Sequence, residues 1–219
     1  MVLIKTATEI NKIKKAAKIT LQIINKVMKQ VDSDATEKQV EKALLDEMNK
    51  RNVKPAFPPI VAFGPSATTL HHKPNNTKIT KHGFLLLDIG CKYKGYCSDI
   101  SRMFHFGKMT SQEKNVLETV VTCQQIIFDV LRPGIKAGDI QKIYSDFLKK
   151  NGYKILHSFG HTLGTRPHDS SRLRKNTRLR EGMVITVEPG VYIRRGKQRF
   201  GVRIEDDILI TKKGFRKLS

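Results

Sequence analysis

Four carboxylates in two matched pairs constrain this chain more than any other feature of its sequence. Asp88 and Asp99 lie in the segment FLLLDIGCKYKGYCSDISRMF. Glu188 and Glu205 lie in the segment MVITVEPGVYIRRGKQRFGVRIEDDILIT. Each segment is typical of two strands joined by a turn, so each acidic pair is predicted to straddle a β-hairpin.

The position of each turn decides how the paired acids face each other. A turn at Tyr93-Lys94 would place the first pair directly opposite, and a turn at Gly196-Lys197 would do the same for the second. Opposed strand residues share a face, with Cβ atoms about 5 Å apart. Like charges held that close are destabilising unless a cation lies between them. Because the pattern occurs twice, it predicts a divalent metal centre, with two ions expected.

The composition is that of a globular protein with a real core. Of the 219 residues, 39% are hydrophobic and 28% are charged. No apolar run approaches the roughly 20 residues of a membrane span, and no signal peptide is visible. Three cysteines do not make a disulfide scaffold, so we expect a cytoplasmic protein in which Cys91 and Cys97 are packing residues. We also expect one domain over residues 1–219, with no membrane partner.

The net charge of +21 is high and raises nonspecific attraction to nucleic acid or the ribosome. The densest basic stretches are 172–180 and 194–200. No RNA-recognition motif or zinc finger accompanies them, and aromatic residues do not interleave with them. A solvated basic surface is therefore favoured over a specific nucleic-acid site.

The order of predicted elements repeats along the chain. Apolar periodicity and capping residues predict helices, and alternating apolar segments predict hairpins. The expected order is a helix over 7–30, a helix over 34–49, a short strand IVAFG, a hairpin over 84–104, a helix over 110–131, a helix over 138–151 and a hairpin over 183–210. This predicts two pseudo-symmetric halves, about 1–107 and 108–219, with one acidic pair in each.

Histidines add a second kind of metal ligand. His161 lies between Gly160 and Gly164, where glycines allow close backbone packing, and His157 and His168 flank it. Carboxylate and imidazole ligands together suit manganese, iron, cobalt or zinc. The remaining histidines near the strands are expected to be ordinary loop or strand residues: His72, His82 and His105.

These residues resemble the catalytic domain of the metallopeptidases that include methionine aminopeptidase, aminopeptidase P and prolidase. The matching elements are LLLDIGCKYKGYCSDISRMF, FGHTLGTRPHD, VITVEPGVY and GVRIEDDILIT, in the family's order. The resemblance covers nearly the whole chain. It implies an α/β (α+β) pita-bread fold, with two helix–helix–hairpin halves around a curved antiparallel sheet.

The resemblance also implies five metal ligands: Asp88, Asp99, His161, Glu188 and Glu205. Asp99 and Glu205 would bridge two divalent ions. Asp88 would complete one site, and His161 with Glu188 the other. Manganese is the expected metal, and cobalt, iron and zinc are compatible alternatives.

Other residues resemble those of the Xaa-Pro branch of the family. The contexts VEPGVY and VRIEDD match that branch, as does Arg203, two residues before the last acid. His71, His157 and His168 fall on its active-site histidines. The catalytic residues implied are His71, His157, His168 and Glu188, and the substrate-binding residues are His71, His168 and Arg203.

The implied reaction is hydrolysis of an N-terminal Xaa-Pro bond by a water activated between two ions. Glu188 would move the proton of this water to the leaving amine, and His168 or His157 would donate to the oxyanion. The substrate partner would be a peptide, and the chain could be a monomer or a homodimer.

One departure from the resemblance leaves alternatives open. The chain begins directly at the catalytic domain, whereas aminopeptidase P and prolidase usually carry an N-terminal domain that shapes the pocket. Methionine aminopeptidase activity therefore stays an alternative. So does a non-catalytic module that binds ribosome or nucleic acid through its basic surface.

Overall fold

The computed structural model describes residues 4–169, 173–196 and 198–219, and two successive helix–helix–strand units make up this part of the chain. The first unit contains α1 (Ala7–Met28), α2 (Glu37–Lys50), β1 (Lys54–Pro55), β2 (Ile60–Phe63), β3 (Gly83–Ile89), β4 (Cys91–Tyr93), β5 (Tyr96–Cys97) and β6 (Ile100–Phe106). The second contains α3 (Ser111–Val130), α4 (Ala137–Lys150), β7 (Val184–Val187), β8 (Gly190–Ile193), β9 (Phe200–Arg203), β10 (Asp206–Ile210) and β11 (Phe215–Lys217). The predicted order of helices and hairpins is confirmed.

Helices α1, α2 and α3 each begin with a capping box. A threonine side chain accepts the backbone N–H three residues on, and the acid or amide there accepts the N–H of the threonine. The pairs are Thr6 with Glu9, Thr36 with Gln39, and Thr110 with Glu113. Helix α4 begins after Lys136 without a side-chain cap, one residue before the predicted start at Gly138.

Each unit has its own hydrophobic core. In the first, α1 and α2 cover β2, β3 and β6, with Ile23 and Leu87 among the fully buried residues. In the second, α3 and α4 cover β7 to β10, with Val120 and Ile185 among the fully buried residues. The helices therefore lie outside and the hairpins face each other at the centre.

All described strand pairs are antiparallel. The strand orders are β2-β3-β6, β1-β4-β5, β8-β9 and β11-β10-β7. The two units meet where β9 packs against β3, and the rings of Phe84 and Phe200 lie 5.6 Å apart at this contact. The acidic segments of both units thus lie at one central seam.

The first hairpin turns one residue later than predicted. Lys94 and Gly95 have φ angles of 46° and 86°, which is the backbone of a two-residue turn with glycine at its second position. As a result Asp88 pairs with Ser101, and the prediction that it lies directly opposite Asp99 is wrong. The shift moves the partner by two residues, so Asp99 is a diagonal neighbour of Asp88.

The second hairpin has the predicted register. One continuous register runs from the β7–β10 pairing to the β8–β9 pairing and places Glu188 opposite Glu205. At its turn, Gly196 has a φ of 95°, and the predicted turn residue Lys197 lies outside the described residues.

The cysteines are buried and free, as expected for packing residues. The thiol of Cys91 donates to the carbonyl of Ala16 in α1, at 3.3 Å. Within the described ranges, no helix has the length and apolar character needed to cross a bilayer.

Candidate active site

A cavity of about 1440 Å³ lies at the seam between the two units. Its walls contain every residue predicted for the site: His71, Asp88, Asp99, His157, His161, His168, Glu188, Arg203 and Glu205. Apolar side chains form another part of the wall, among them Phe57, Ile60 and Leu70. The structure therefore brings together acids from both hairpins, the histidines and an apolar surface.

His161 is placed by a segment that runs beside β7. The N–H of Thr186 donates to the carbonyl of His161 at 2.8 Å, and the Thr186 hydroxyl accepts the His161 N–H at 3.1 Å. A Cβ atom at Gly160 would lie 2.0 Å from the Thr186 carbonyl oxygen. Only glycine permits this approach, which confirms the expectation of close backbone packing next to His161.

The imidazole of His161 turns a lone pair towards three carboxylates. Its Nδ1 lies 3.2 Å from the Thr162 carbonyl oxygen, which only accepts, so Nδ1 carries the proton. The Nε2 atom lies 3.5 Å from an oxygen of Asp99, 3.5 Å from Glu188 and 3.9 Å from Glu205. Burial, and then the neighbouring His168, lower the pKa of His161 to about 4, so the ring is neutral. This arrangement is repulsive unless a proton or a metal cation lies among the four groups.

The carboxylates show the same need for a cation. Burial raises the pKa of Asp99 well above its usual range, and Glu205 raises it further. Burial also raises the pKa of Glu205 well above its usual range, with Glu188 adding to the effect. The pKa of Glu188 rises to about 8, again chiefly through burial. Without a bound cation, the protein does not supply enough positive charge to stabilise the ionised form of these three acids.

One carboxylate oxygen of Asp88 accepts a hydrogen bond, and the other has no partner among the described residues. Its Oδ2 accepts a hydrogen bond from the guanidinium of Arg203. Its Oδ1 is buried and has no hydrogen-bond partner among the described residues. An orphaned carboxylate oxygen in this position fits a metal ligand.

Ser101 and Tyr192 belong to the site although neither was predicted. Ser101 accepts from Arg203 Nε at 3.1 Å and donates to Glu205 at 3.0 Å. Tyr192 accepts from Arg203 Nη1 at 3.0 Å and lies 2.9 Å from His157 Nε2. The correct strand register places Ser101 directly across from Asp88 and Tyr192 two residues from the position across from Arg203, so it signals their nearness to the site but not their hydrogen bonds.

The contacts of His157 fix its tautomer. Its Nδ1 lies 2.9 Å from the Ser158 carbonyl oxygen and therefore donates, so Nε2 accepts from the Tyr192 hydroxyl. Burial, and then Arg203, lower the pKa of His157 to about 4. Both nitrogens of this neutral ring are engaged in hydrogen bonds.

His168 and His71 lie on the more open side of the cavity. The His168 ring stacks on His161, with centroids 4.0 Å apart and planes at 21°. Burial, and then His71, lower the pKa of His168. His71 itself is an exposed residue of the cavity wall.

The paired acids, the histidine and their order along the chain agree with one known family. The sequence signature of Metallopeptidase family M24 matches residues 11–212. The chain belongs to this family. The match covers both acidic hairpins and the histidine segment of the M24 chain.

Relatives and solved structures agree with this assignment. The M24 chain is 39% identical to an uncharacterized peptidase of Methanocaldococcus jannaschii over 230 residues, covering 100% of this chain and 64% of the relative. It is 33% identical to the Xaa-Pro dipeptidase of Pyrococcus furiosus, covering 99% and 63%. The crystal structure of X-Pro aminopeptidase from Thermotoga maritima superposes with a TM-score of 0.93 at 29% identity, covering 99% and 62%.

The prolidase of Pyrococcus horikoshii also superposes with a TM-score of 0.93, at 33% identity, covering 99% of this chain and 63% of that one. The M24 chain thus has the pita-bread fold of prolidase and aminopeptidase P catalytic domains. It spans less than two thirds of the length of these relatives.

Proposed function

We propose that this M24 chain is a dinuclear metal-dependent exopeptidase that hydrolyses the bond between an N-terminal residue and proline. The substrates would be Xaa-Pro dipeptides or longer peptides with proline second. The observation that carries the proposal is the lone pair of His161 Nε2, which faces oxygens of Asp99, Glu188 and Glu205 at 3.5, 3.5 and 3.9 Å. The similarity to an Xaa-Pro dipeptidase and an X-Pro aminopeptidase supports the Xaa-Pro specificity.

Five residues would hold the two ions: Asp88, Asp99, His161, Glu188 and Glu205. They fit because one oxygen of Asp88 is orphaned and because the pKa of each of Asp99, Glu188 and Glu205 is raised. When bound, the ions supply Lewis acidity and a more acidic water. The donor set of carboxylates with one imidazole suits manganese, our proposed metal, and also cobalt, iron and zinc.

Glu188 is the proposed proton carrier. Its carboxylate lies at the cavity wall, with one oxygen 3.5 Å from His161 Nε2 and the other 3.7 Å from His157 Nδ1, so it reaches the space where the water would be activated. In the proposed reaction Glu188 takes a proton from the attacking water and delivers it to the imide nitrogen of proline. This nitrogen must be protonated because it becomes the secondary amine of the product.

The histidines divide into positioning and donating roles. His157 uses Nδ1 towards Ser158 and Nε2 towards Tyr192, so it orients the Arg203–Tyr192 chain. His168 makes no such bonds among the described residues and lines the open side of the cavity. We therefore assign to His168 the donation to the developing oxyanion, with His71 beside it in the substrate-binding wall.

The apolar wall supports recognition of proline by shape. A proline leaving group has no N–H, so the site cannot select it through an amide donor. Phe57, Ile60 and Leu70 offer an apolar surface to the pyrrolidine ring. The acidic cluster would bind the free α-amine, which favours cleavage next to the N-terminus.

A peptide panel tests the proposal. Metal-free protein is loaded separately with Mn²⁺, Co²⁺, Fe²⁺ or Zn²⁺ and incubated with Ala-Pro, Ala-Pro-Xaa and Met-Ala-Xaa peptides. We expect release of alanine from the proline peptides, and loss of that release in Asp99→Ala. Cleavage of only the methionine peptide would assign methionine aminopeptidase activity instead. No cleavage with any metal, together with RNA binding that survives Asp99→Ala, would assign a binding module.

A further inference from the structure

A second cluster of metal-ligating side chains lies outside the cavity. His82 directly precedes β3, His105 lies on β6, and Glu113 is the third residue of α3. The ligand atoms of the three residues all lie within 4.8 Å of one another. The cluster therefore joins the first hairpin to the first helix of the second unit.

Glu113 divides its two oxygens between two tasks. Its Oε2 accepts the N–H and the hydroxyl of Thr110, each at 2.8 Å, and so caps α3. Its Oε1 faces the histidines, 3.2 Å from His82 Nε2 and 3.4 Å from His105 Nε2. The cap fixes the carboxylate, so Oε1 is held in place between the two rings.

His105 presents a buried lone pair to this oxygen. Its Nδ1 lies 3.1 Å from the carbonyl of Gly107, which only accepts, so in the neutral ring Nδ1 carries the proton. The side chain is only 4% exposed. Its Nε2 is buried and makes no hydrogen bond within the described part of the chain. A buried lone pair facing a carboxylate is unfavourable without a cation between them.

The distances fit a metal ion better than a proton. A charge-assisted N–H···O bond is about 2.7–2.9 Å long, shorter than either contact. In a tetrahedral zinc site with bonds of about 2.0–2.1 Å, neighbouring ligand atoms lie about 3.3 Å apart. The contacts from Glu113 Oε1 to His82 and His105 are 3.2 and 3.4 Å.

We propose that His82, His105 and Glu113 form a zinc site that ties β6 to α3 across the boundary between the two units. Two imidazoles and one carboxylate are donors that Zn²⁺ accepts in a tetrahedral geometry. The side chain of His82 is 45% exposed, which leaves the fourth position to water. The Gly107 carbonyl orients His105, as a carbonyl commonly does for a zinc-bound histidine.

The site is separate from the cavity, since none of its three residues lines the cavity wall. Its role is to stabilise the junction of the two units. The packing around it is already ordered, because the His105 ring meets Phe84 edge-on at 4.8 Å and His82 at 5.2 Å. A bound ion would therefore require little rearrangement.

Zinc content of matched variants tests this site. Wild-type protein, His82→Ala and Lys81→Ala are dialysed against the same free Zn²⁺ concentration, and bound zinc is measured by elemental mass spectrometry. Since His82 and Lys81 are both exposed, neither change should unfold the protein. We expect His82→Ala to hold one zinc ion fewer per chain and Lys81→Ala to match wild type. Equal zinc content in wild type and His82→Ala would overturn the proposal.

A second variant and a map locate the ion. His105→Phe keeps an aromatic ring against Phe84 and removes the nitrogen, so it should lose the same single equivalent. Glu113 is left intact because it also caps α3. In crystals of zinc-loaded protein, anomalous scattering at the zinc edge should give a peak between His82 and Glu113. A peak in the cavity with none at this cluster would also overturn the proposal.

Discussion

Arg203 and Asp88 form a buried ion pair that joins the two units across the cavity. The guanidinium on β9 donates to the carboxylate on β3, and the two side chains are 4% and 10% exposed. Burial lowers the pKa of Arg203, but the charge of Asp88 opposes this effect. The pKa of Arg203 is raised well above its usual range. The guanidinium of Arg203 therefore remains charged in the metal-free protein.

Arg203→Met should destabilise metal-free protein by about 3–5 kcal/mol, because it leaves a buried carboxylate without its cation. Manganese should reduce that loss, since the ion compensates Asp88 from its other oxygen. Chemical denaturation with and without Mn²⁺ measures both values. Arg194→Met, on the same hairpin but exposed, should cost less than about 1 kcal/mol.

A double-mutant cycle separates this coupling from lost packing. In Arg203→Met with Asp88→Asn, the second change should recover part of the stability lost in the first. Additive losses would show that the two side chains do not stabilise each other.

Asp99→Asn should have opposite effects with and without metal. In metal-free protein it removes a carboxyl whose charged form burial and Glu205 already disfavour, so stability should rise. With Mn²⁺ present, the stabilisation by metal should largely disappear because a proposed ligand is lost. Thermal denaturation at pH 7.5 measures both effects. Asp139→Asn, an exposed acid of the same cavity wall, should leave the stabilisation by metal unchanged and cost less than about 1 kcal/mol, because Asp139 lies in the first turn of α4.

The location of the site followed from the sequence because strand patterns and the family resemblance placed the acids in two hairpins. Their detailed pairing depended on a turn. Lys94 adopts a positive φ, and the only sign of this in the sequence is the glycine that follows it, Gly95. Because the turn lies one residue later than predicted, the partner of Asp88 is two residues further along the chain. Strand periodicity alone does not fix such a register.

Contacts between distant segments were also beyond the sequence. Ser101 touches Arg203 and Glu205 because β6 and β9 meet at the seam, a relationship that no local pattern encodes. Tyr192 stood in the recognised VEPGVY segment, but its place between Arg203 and His157 required the tertiary structure. The sequence therefore predicted which charged residues line the cavity better than the groups that orient them.

Metal-free protein should lose stability as the pH rises from 7 to 8. Glu188 has a pKa of about 8 in the fold against 4.5 when unperturbed, so between these values the folded state holds the extra proton. Stability therefore falls with rising pH, by up to about 1.4 kcal/mol per unit for each such carboxyl.

The two buried histidines make the stability rise with pH, but they do so at lower pH than the range in which Glu188 makes it fall. Because His157 and His161 have a pKa of about 4 against 6.5 when unperturbed, their contribution rises from pH 4 and is nearly complete by pH 7. Urea denaturation at several pH values measures the slope. It should be smaller in Glu188→Gln and smaller with bound Mn²⁺, and the part due to Asp207, whose pKa burial also raises, should remain. An equally steep fall in Glu188→Gln would contradict the assignment.

Gly160→Ala should disturb His161, the proposed metal ligand next to it. The new Cβ would lie 2.0 Å from the carbonyl oxygen of Thr186, a backbone atom of β7 that cannot rotate away. The segment must move off the strand and take His161 with it, so Mn²⁺ affinity should fall by about tenfold or more. Overpacking should also cost about 1–3 kcal/mol of stability.

Isothermal titration with Mn²⁺ and chemical denaturation measure these two effects separately. Gly214→Ala is the matched control, because its Cβ would meet only the Leu131 carbonyl oxygen, at 3.8 Å. It should retain both metal affinity and stability. A Gly160→Ala protein with wild-type Mn²⁺ affinity would contradict the claim that the close contact at Gly160 aligns His161 with the acids.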